Sequence, residues 1–280
     1  MGDYLRPGTL DEALAALSEG GWRVLAGGTD LYPVETGRQL PFPVLDVAGL
    51  APLRDVGIAA GELRIGACAR WSEIARADLP PALAALQQAA VEVGGRQVQN
   101  AGTIGGNLCN ASPAADGVPP LLVAGAIVEL ASRRGVRRLA LEDFLTGPRQ
   151  TARAADELLT AVIVPPAGLQ GRSRFLKLGA RSYLVISIAM VAARIVTDAG
   201  RITGAALAVG ACSATARRLP GVEAALIGAP LADAVGRIGD DVVAAALSPL
   251  DDLRATAAYR GRAAAELLRR AVAELTEAGA

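Results

Sequence analysis

Residues 100–116 read NAGTIGGNLCNASPAAD, and the interpretation of this stretch decides the fold. Sixteen residues pass without a charge, with Gly102, Gly105 and Gly106 and with Asn100, Asn107 and Asn110 among them, before Asp116 closes the run. The pattern has neither the alternation of a half-buried strand nor the three-to-four spacing of an amphipathic helix. Core packing is therefore not what selects it. Ser112 followed by Pro113 reads as an N-cap and first helical turn, so a helix start is expected there.

A second glycine segment, VLAGGTDL, occupies residues 24–31. The oxygens of a nucleotide pyrophosphate need several donors at once, and backbone N–H groups supply them only where no Cβ blocks close approach. Gly27-Gly28 and Gly105-Gly106 each stand where such an approach is possible. Neither segment contains Lys or Arg. A phosphate held there would rest on amides, on the Thr29 and Thr103 hydroxyls and on a helix dipole, the last contributing about 0.3 to 1 kcal/mol when exposed and up to about 2 when partly buried. Asn107, Asn110 and Asp116 add side-chain partners for ligand hydroxyls and amides. No G-x-x-x-x-G-K-[ST] occurs, and neither segment gives G-x-G-x-x-G between a strand and a helix. On the residues alone, a dinucleotide held between two glycine loops and a bland pair of tight turns both stay open.

The rest of the chain bounds the chemistry. Its 280 residues suffice for two domains, or for one domain with a substantial appendage. Lys+Arg and Asp+Glu stand at 28 each, which gives no electrostatic case for nucleic acid or an anionic membrane. The apolar runs 117–128 and 182–193 stop short of the roughly 18 uncharged residues of a membrane span. The opening MGDYLRPGTLDE carries acidic residues and no apolar core of a signal peptide, so the cytoplasm is expected. Cys68, Cys109 and Cys212 are scattered and odd in number, which argues against disulfides and cysteine-ligated metals. Histidine is absent, which removes His-ligated zinc, the Ser-His-Asp triad and His general-base chemistry together. Any catalysis is expected to draw its reactivity from a bound cofactor, and no catalytic residue or metal ligand is assigned.

Patterning outlines the elements. Thr9 and Glu12 form a capping-box pattern ahead of Leu10, Ala13, Leu14 and Leu17, and Gly20-Gly21 ends that helix. Strands WRVLAG and PVLDV flank the first glycine turn and an irregular LYPVETGRQLPF segment, which together read as a small α/β unit. LRDVGIAAGELRIGA predicts two strands turned at Ala60-Gly61, WSEIARAD a short helix, and Pro80-Pro81 the opening of a longer helix closed by Gly94-Gly95. AIVELAS and VRRLAL predict a hairpin around Arg133-Arg134-Gly135, and ELLTAVIVPP a further strand. PPAGLQG at 165–171 is the expected domain boundary. Beyond it, RSRFLKLGA, YLVISIAMVAARIV and RITGAALAVGA predict a three-stranded antiparallel sheet with a TDAG turn, followed by helices, the longest over about 253–275. Arg133, Arg134, Arg137 and Arg138 read as solvated turn charges rather than a docking patch. Cys109 reads as a small buried hydrophobe rather than a flavin neighbour.

The pair AGGTDL and TIGGNLCNASPAAD, in that order, resembles the FAD-binding medium subunit, or domain, of the molybdenum hydroxylases: the xanthine dehydrogenase, carbon monoxide dehydrogenase and aldehyde oxidoreductase group. The resemblance covers nearly the whole chain and extends to RPGTLDEALAAL, LRIGACAR, LEDFLTGP, DELLTAVIVP and AAYRGRAAAELLRRAV. It implies an α+β fold: a two-part α/β FAD-binding domain (PCMH-like) over 1–168, with parts at about 1–50 and 51–168, then a C-terminal domain over 169–280 of three-stranded antiparallel sheet plus helices. It implies FAD as cofactor, gripped by Leu25, Ala26, Gly27, Gly28, Thr29, Asp30 and Leu31 in the first loop and by Thr103, Ile104, Gly105, Gly106 and Asn107 in the second. Asp116 matches a position that binds FAD hydroxyls, and Lys177 a basic residue near the flavin.

The resemblance further implies partners, a small subunit with two [2Fe-2S] clusters and a large molybdopterin-binding subunit, in a heterotrimer whose further dimerisation stays open. Electrons would pass from the clusters through this chain's FAD to an external acceptor, in an oxidoreductase not complete in this chain alone. The sequence departs from the family where LYPVETG follows the first motif and where Ser182 and Tyr183 follow Arg181, and its scattered cysteines exclude the extra iron-sulfur cluster of some members. Two rival functions are a self-contained flavin reductase of the wider fold family, which needs its own proton donor, and a flavin-free scaffold module.

Overall fold

The chain builds three layered units in sequence order, seen in a computed structural model that describes residues 3–34 and 40–277. Residues 35–39 of the irregular segment after the first glycine motif therefore lie outside the described residues. In the first unit, β1 (Tyr4–Leu5), α1 (Leu10–Glu19), β2 (Arg23–Leu25), the single turn α2 (Leu31–Val34) and β3 (Val44–Asp46) follow one another. The strands form a parallel sheet in the order β1-β3-β2. Thr9 caps α1 by accepting the Glu12 N–H at 3.2 Å, and Glu12 reaches back to the Gly8 N–H at 2.7 Å, one residue beyond the expected capping box. Ala13, Leu14, Ala16 and Leu17 share the face of α1 that packs on Leu45, Val47, Leu50 and Leu53.

The second unit contains β4 (Val56–Ala59), β5 (Glu62–Gly66), α3 (Trp71–Ile74), α4 (Ala84–Glu92), α5 (Arg96–Ala101), α6 (Ile104–Asn110), α7 (Val118–Val123), β6 (Ile127–Ser132), β7 (Gly135–Ala140), α8 (Leu141–Phe144), β8 (Leu145–Gly147), β9 (Gln150–Thr151) and β10 (Leu158–Val164). Five strands make an antiparallel sheet, β4-β5-β10-β6-β7. Every residue of the central strand β10 is buried, which explains its continuous apolar run. Three of the arginines of the β6–β7 hairpin are paired: Arg137 with Glu157 at 2.6 Å, Arg138 with Glu129 and Glu62 at 3.3 and 3.4 Å, and Arg134 with Asp156. They knit the sheet edge to the turn before β10 and to the neighbouring strands β6 and β5.

The third unit starts with β11 (Arg172–Leu178), β12 (Ala189–Asp198), β13 (Arg201–Gly210) and the two-residue β14 (Arg217–Arg218), an antiparallel sheet in sequence order. The expected three strands thus gain a fourth, because Arg217 and Arg218 pair with Val209 and Ala208. Ala199 and Gly200, with φ of 46° and 74°, form the two-residue turn between β12 and β13, the backbone a type I′ hairpin requires. The strand expected from Tyr183 begins only at Ala189, and the helix expected from about 253 begins at Ala257. The helices α9 (Pro220–Leu226), α10 (Asp240–Ala245) and α11 (Ala257–Glu277) cover one face of this sheet.

Its other face does not meet solvent. Met190, Ala192, Ala206 and Ala208 join the core of the second unit, while Ala189, Val191, Leu207 and Val209 join that of α9–α11. The period-two alternation of the strands sorts residues between two cores. The Ala85 N–H at the start of α4 donates to Ser173 Oγ at 2.9 Å, and Phe175 N–H to Gln88 Oε1 at 2.8 Å, which fixes α4 against β11.

Candidate cofactor site

The three units meet around a cavity of about 1110 Å³. Its walls include Leu25 to Leu31 from the first unit, Thr103, Gly105, Gly106, Asn107 and Asp116 from the second, and Leu184, Val185 and Ile186 from the segment ahead of β12. Two predicted residues stand apart. Ile104 is fully buried in the core, with its N–H donated to Ala69 O at 3.0 Å. Lys177 does not line the cavity; its ammonium bonds Asp116 Oδ2 at 2.8 Å and Glu92 O at 3.3 Å.

The glycines of the two segments do different work. A Cβ on Gly27 would lie 1.9 Å from Ala101 O, so this residue lets the first loop close against the end of α5. A Cβ on Gly105 would lie 2.6 Å from Ala67 O, so it lets α6 press on the strand end after β5. On Gly106 a Cβ would meet only Thr103 Oγ1, at 3.0 Å, and otherwise stand in open space. Gly106 is thus the glycine whose missing side chain leaves room for a ligand.

The amides also divide. Thr103 caps α6 by accepting the Gly106 N–H at 3.1 Å; Gly105 N–H donates to Ala67 O at 2.8 Å and Asn107 N–H to Thr103 O at 3.0 Å. Those N–H groups of the second segment are engaged within the protein. Among the described residues no acceptor meets the N–H groups of Gly27, Gly28, Thr29 or Asp30. The longest run of donors left free for an anion among the described residues is therefore in the first loop, with the Thr103 N–H of the second segment beside it.

The helix start expected at Ser112-Pro113 is not there. Ala111, at φ 46°, ends α6 in a left-handed cap, and Ser112 Oγ accepts the Ala114 N–H at 3.3 Å in a local turn. The next helix, α7, begins at Val118. Pro119 and Pro120 explain the delay, since proline is tolerated in a first helical turn and a helix begun at Pro113 would place both in its interior. The helix dipole facing the cavity belongs to α6 and starts at Thr103.

Asp116 and Lys177 are both about nine-tenths buried. The second Asp116 oxygen, Oδ1, accepts the Ser187 hydroxyl at 2.9 Å, so one carboxylate joins the second unit to β11 and to the segment ahead of β12. Burial pushes its carboxyl above the usual range, and Lys177 and Ser187 offset only part of that. Positive charge also stands behind the first loop. A smaller cavity of about 140 Å³ shares Gly27 and Thr103 with the large one and is lined by Arg54, Arg70 and Asn100. Arg54 pairs with Glu73, whereas the Arg70 guanidinium has no carboxylate partner among the described residues.

Cavity residues also include Asn110, named from the sequence as a side-chain partner, and Cys109, Arg149 and Arg153, which were not. Cys109 is exposed, contrary to the buried reading. Asn110 donates to Asp30 Oδ1 at 2.9 Å and accepts from Arg149, so it bridges the two loops. Arg149 follows the LEDFLTGP stretch directly, the only signal that could have pointed to it.

The site fits a dinucleotide on its own terms. Its volume stands just above the ~300–1,000 Å³ typical of small-molecule pockets, as a dinucleotide larger than most ligands requires. Four successive residues of one loop line it with N–H groups that meet no acceptor among the described residues, and Asn107 Oδ1 is buried without a partner among them. Residues 1–167 match the FAD binding domain in molybdopterin dehydrogenase, and residues 174–275 the CO dehydrogenase flavoprotein C-terminal domain. The chain belongs to the FAD-binding medium subunits of the molybdenum hydroxylases. FAD is the cofactor of that domain, and the family's members are subunits of oxidoreductase complexes.

Nicotine 6-hydroxylase medium subunit of Paenarthrobacter nicotinovorans is 31% identical over 97% of this chain and 96% of its own length. The nicotinate dehydrogenase FAD-subunit of Eubacterium barkeri is 34% identical over 82% of this chain and 80% of its own. The solved structure of reconstituted CO dehydrogenase from Oligotropha carboxidovorans superposes with a TM-score of 0.90 at 27% identity, covering 99% of this chain and 98% of that one. No helix of the described residues is long and apolar enough to cross a membrane.

Proposed function

We propose that this chain carries FAD as the electron-transfer subunit of a cytoplasmic molybdenum-dependent hydroxylase or dehydrogenase. Its partners in that reading are a small [2Fe-2S] subunit and a large molybdopterin-binding subunit, and the electrons leave for an external acceptor. The observation that carries the reading is the run of N–H donors from Gly27 to Asp30, unengaged among the described residues and opposite the open face of Gly106. When bound, the flavin supplies the redox chemistry, and the protein sets its position and access.

The residues divide the remaining tasks. Gly27, Gly28, Thr29 and Asp30 offer the pyrophosphate their amides, and the dipole of α6 adds to them. Asn107 Oδ1 is an acceptor waiting for a ligand donor. Asp116, held by Lys177 and Ser187, keeps lone pairs for ligand hydroxyls. Leu184, Val185 and Ile186 form an apolar wall that limits water. No acid or base is required of the chain itself, because electron transfer through a flavin takes its reactivity from the cofactor. The purified full chain, reconstituted with FAD, is expected to show a flavin absorbance spectrum and no hydroxylation of any purine, pyridine or aldehyde substrate. Hydroxylation by the single chain would overturn the subunit reading.

A further inference from the structure

Arg260, near the start of α11, is one of the largest fully buried side chains, 2% exposed. Its Nη1 donates to Ile188 O at 2.6 Å and to Ala211 O at 3.1 Å, and its Nη2 to Asp252 Oδ1 at 2.7 Å, while Nε is buried without a partner among the described residues. A guanidinium in this position costs desolvation that an apolar side chain of similar volume would avoid. What a fork supplies and a hydrophobe does not is a fixed geometry between several acceptors.

Those acceptors lead to the cavity. Ile188 closes the segment that carries Leu184, Val185 and Ile186, with its own N–H on Leu178 O at 2.8 Å. The preceding residue, Ser187, holds Asp116 at 2.9 Å. Ala211, at φ 62°, donates its N–H to Pro113 O at 2.9 Å, in the turn that leads to Asp116. Both carbonyls taken by Arg260 thus belong to chain that is anchored one step further on in residues 113–116.

We infer that Arg260, fixed by Asp252, is a positioning residue for the FAD site: it ties α11 to the 184–188 wall and to the turn that presents Asp116. This rests on the FAD reading above. Arg260 touches no ligand-facing surface and acts through Ile188 and Ala211.

The test uses the full chain with Arg260→Lys, which keeps the charge and loses the fork, Asp252→Asn, and Leu268→Ala as a control in the same buried face of α11. FAD titration of the native chain comes first; if it takes up no FAD, the cofactor reading falls, and the tie is judged by hydrogen exchange alone. R260K is expected to raise the FAD dissociation constant by about tenfold or more, as losing hydrogen bonds to a charged donor implies. It is also expected to speed exchange of the Ile188 amide, with D252N changing both in the same direction. L268A is expected to lower the melting temperature and leave FAD affinity and Ile188 exchange unchanged. The inference is overturned if R260K leaves both readouts at native values, or if L268A shifts them as much as R260K does.

Discussion

Gly105 and Gly106 are adjacent, yet a side chain at each would meet a different neighbour. At Gly105 a Cβ would press on the Ala67 carbonyl 2.6 Å away, and at Gly106 it would meet only Thr103 Oγ1 and otherwise stand in open space. Gly105→Ala is therefore expected to lower stability by about 1–3 kcal/mol, the usual range for overpacking, measured by chemical denaturation. Gly106→Val is expected to leave the melting temperature close to native and abolish measurable FAD binding by titration; unchanged affinity would remove α6 from the site. Arg70 carries a second residue-scale prediction. With its charge behind the Gly27 loop and no salt bridge among the described residues, Arg70→Gln should weaken FAD binding and flatten its salt dependence, measured as affinity against ionic strength. The two glycine segments were legible in the sequence as places of close backbone approach, but not that Gly27 and Gly105 make that approach to the carbonyls of Ala101 and Ala67. Arg70 and Arg149 were not, since nothing in their neighbours' identity says that folding brings them to the first loop.

At the scale of elements, α6 turns on its cap. Thr103 Oγ1 accepts the Gly106 N–H, and Thr103→Ala is expected to cost about 0.5–2 kcal/mol in denaturant unfolding, the range for losing an N-cap. This helix escaped the sequence reading because it has only seven residues, two of them glycine, and only Ile104, Gly105 and Leu108 face inward. A pattern so short shows no periodicity, and Ser112-Pro113 offered a cleaner start signal that Pro119 and Pro120 overrule. The hairpin β6–β7 was legible because its alternation spans whole strands, and its arginines prove to be structural. Glu157, buried beneath them, bonds Arg137 at 2.6 and 2.8 Å and the Ala154 N–H at 2.7 Å. The Arg137 hydrogen bonds foremost hold its carboxyl below the usual range. A depressed folded pKa stabilises above the ordinary carboxylate value and is lost as pH falls through the folded one. The difference in melting temperature between native protein and Glu157→Gln should accordingly be large at neutral pH and shrink steadily in acid.

For the molecule as a whole, the sheet β11–β14 is shared between two cores, one with α4 and α7 and one with α9–α11. The sequence carried the strands and their order, because β12 and β13 are long and joined by a two-residue turn. It did not reveal that both faces are buried, since a strand covered on both sides and a strand in a two-layer domain look alike in a run such as AMVAARIV. That shared sheet is what brings Lys177 and Ser187 to Asp116, and thereby closes a cavity to which all three units contribute. A ligand bound between units stabilises the fold by mass action, so the melting temperature should rise with FAD concentration. The most direct measurement is titration of the purified full chain with FAD, followed by its absorbance and by calorimetry. The account predicts saturable uptake of one FAD per chain, lost in Gly106→Val; a folded native chain that takes up no FAD would contradict it.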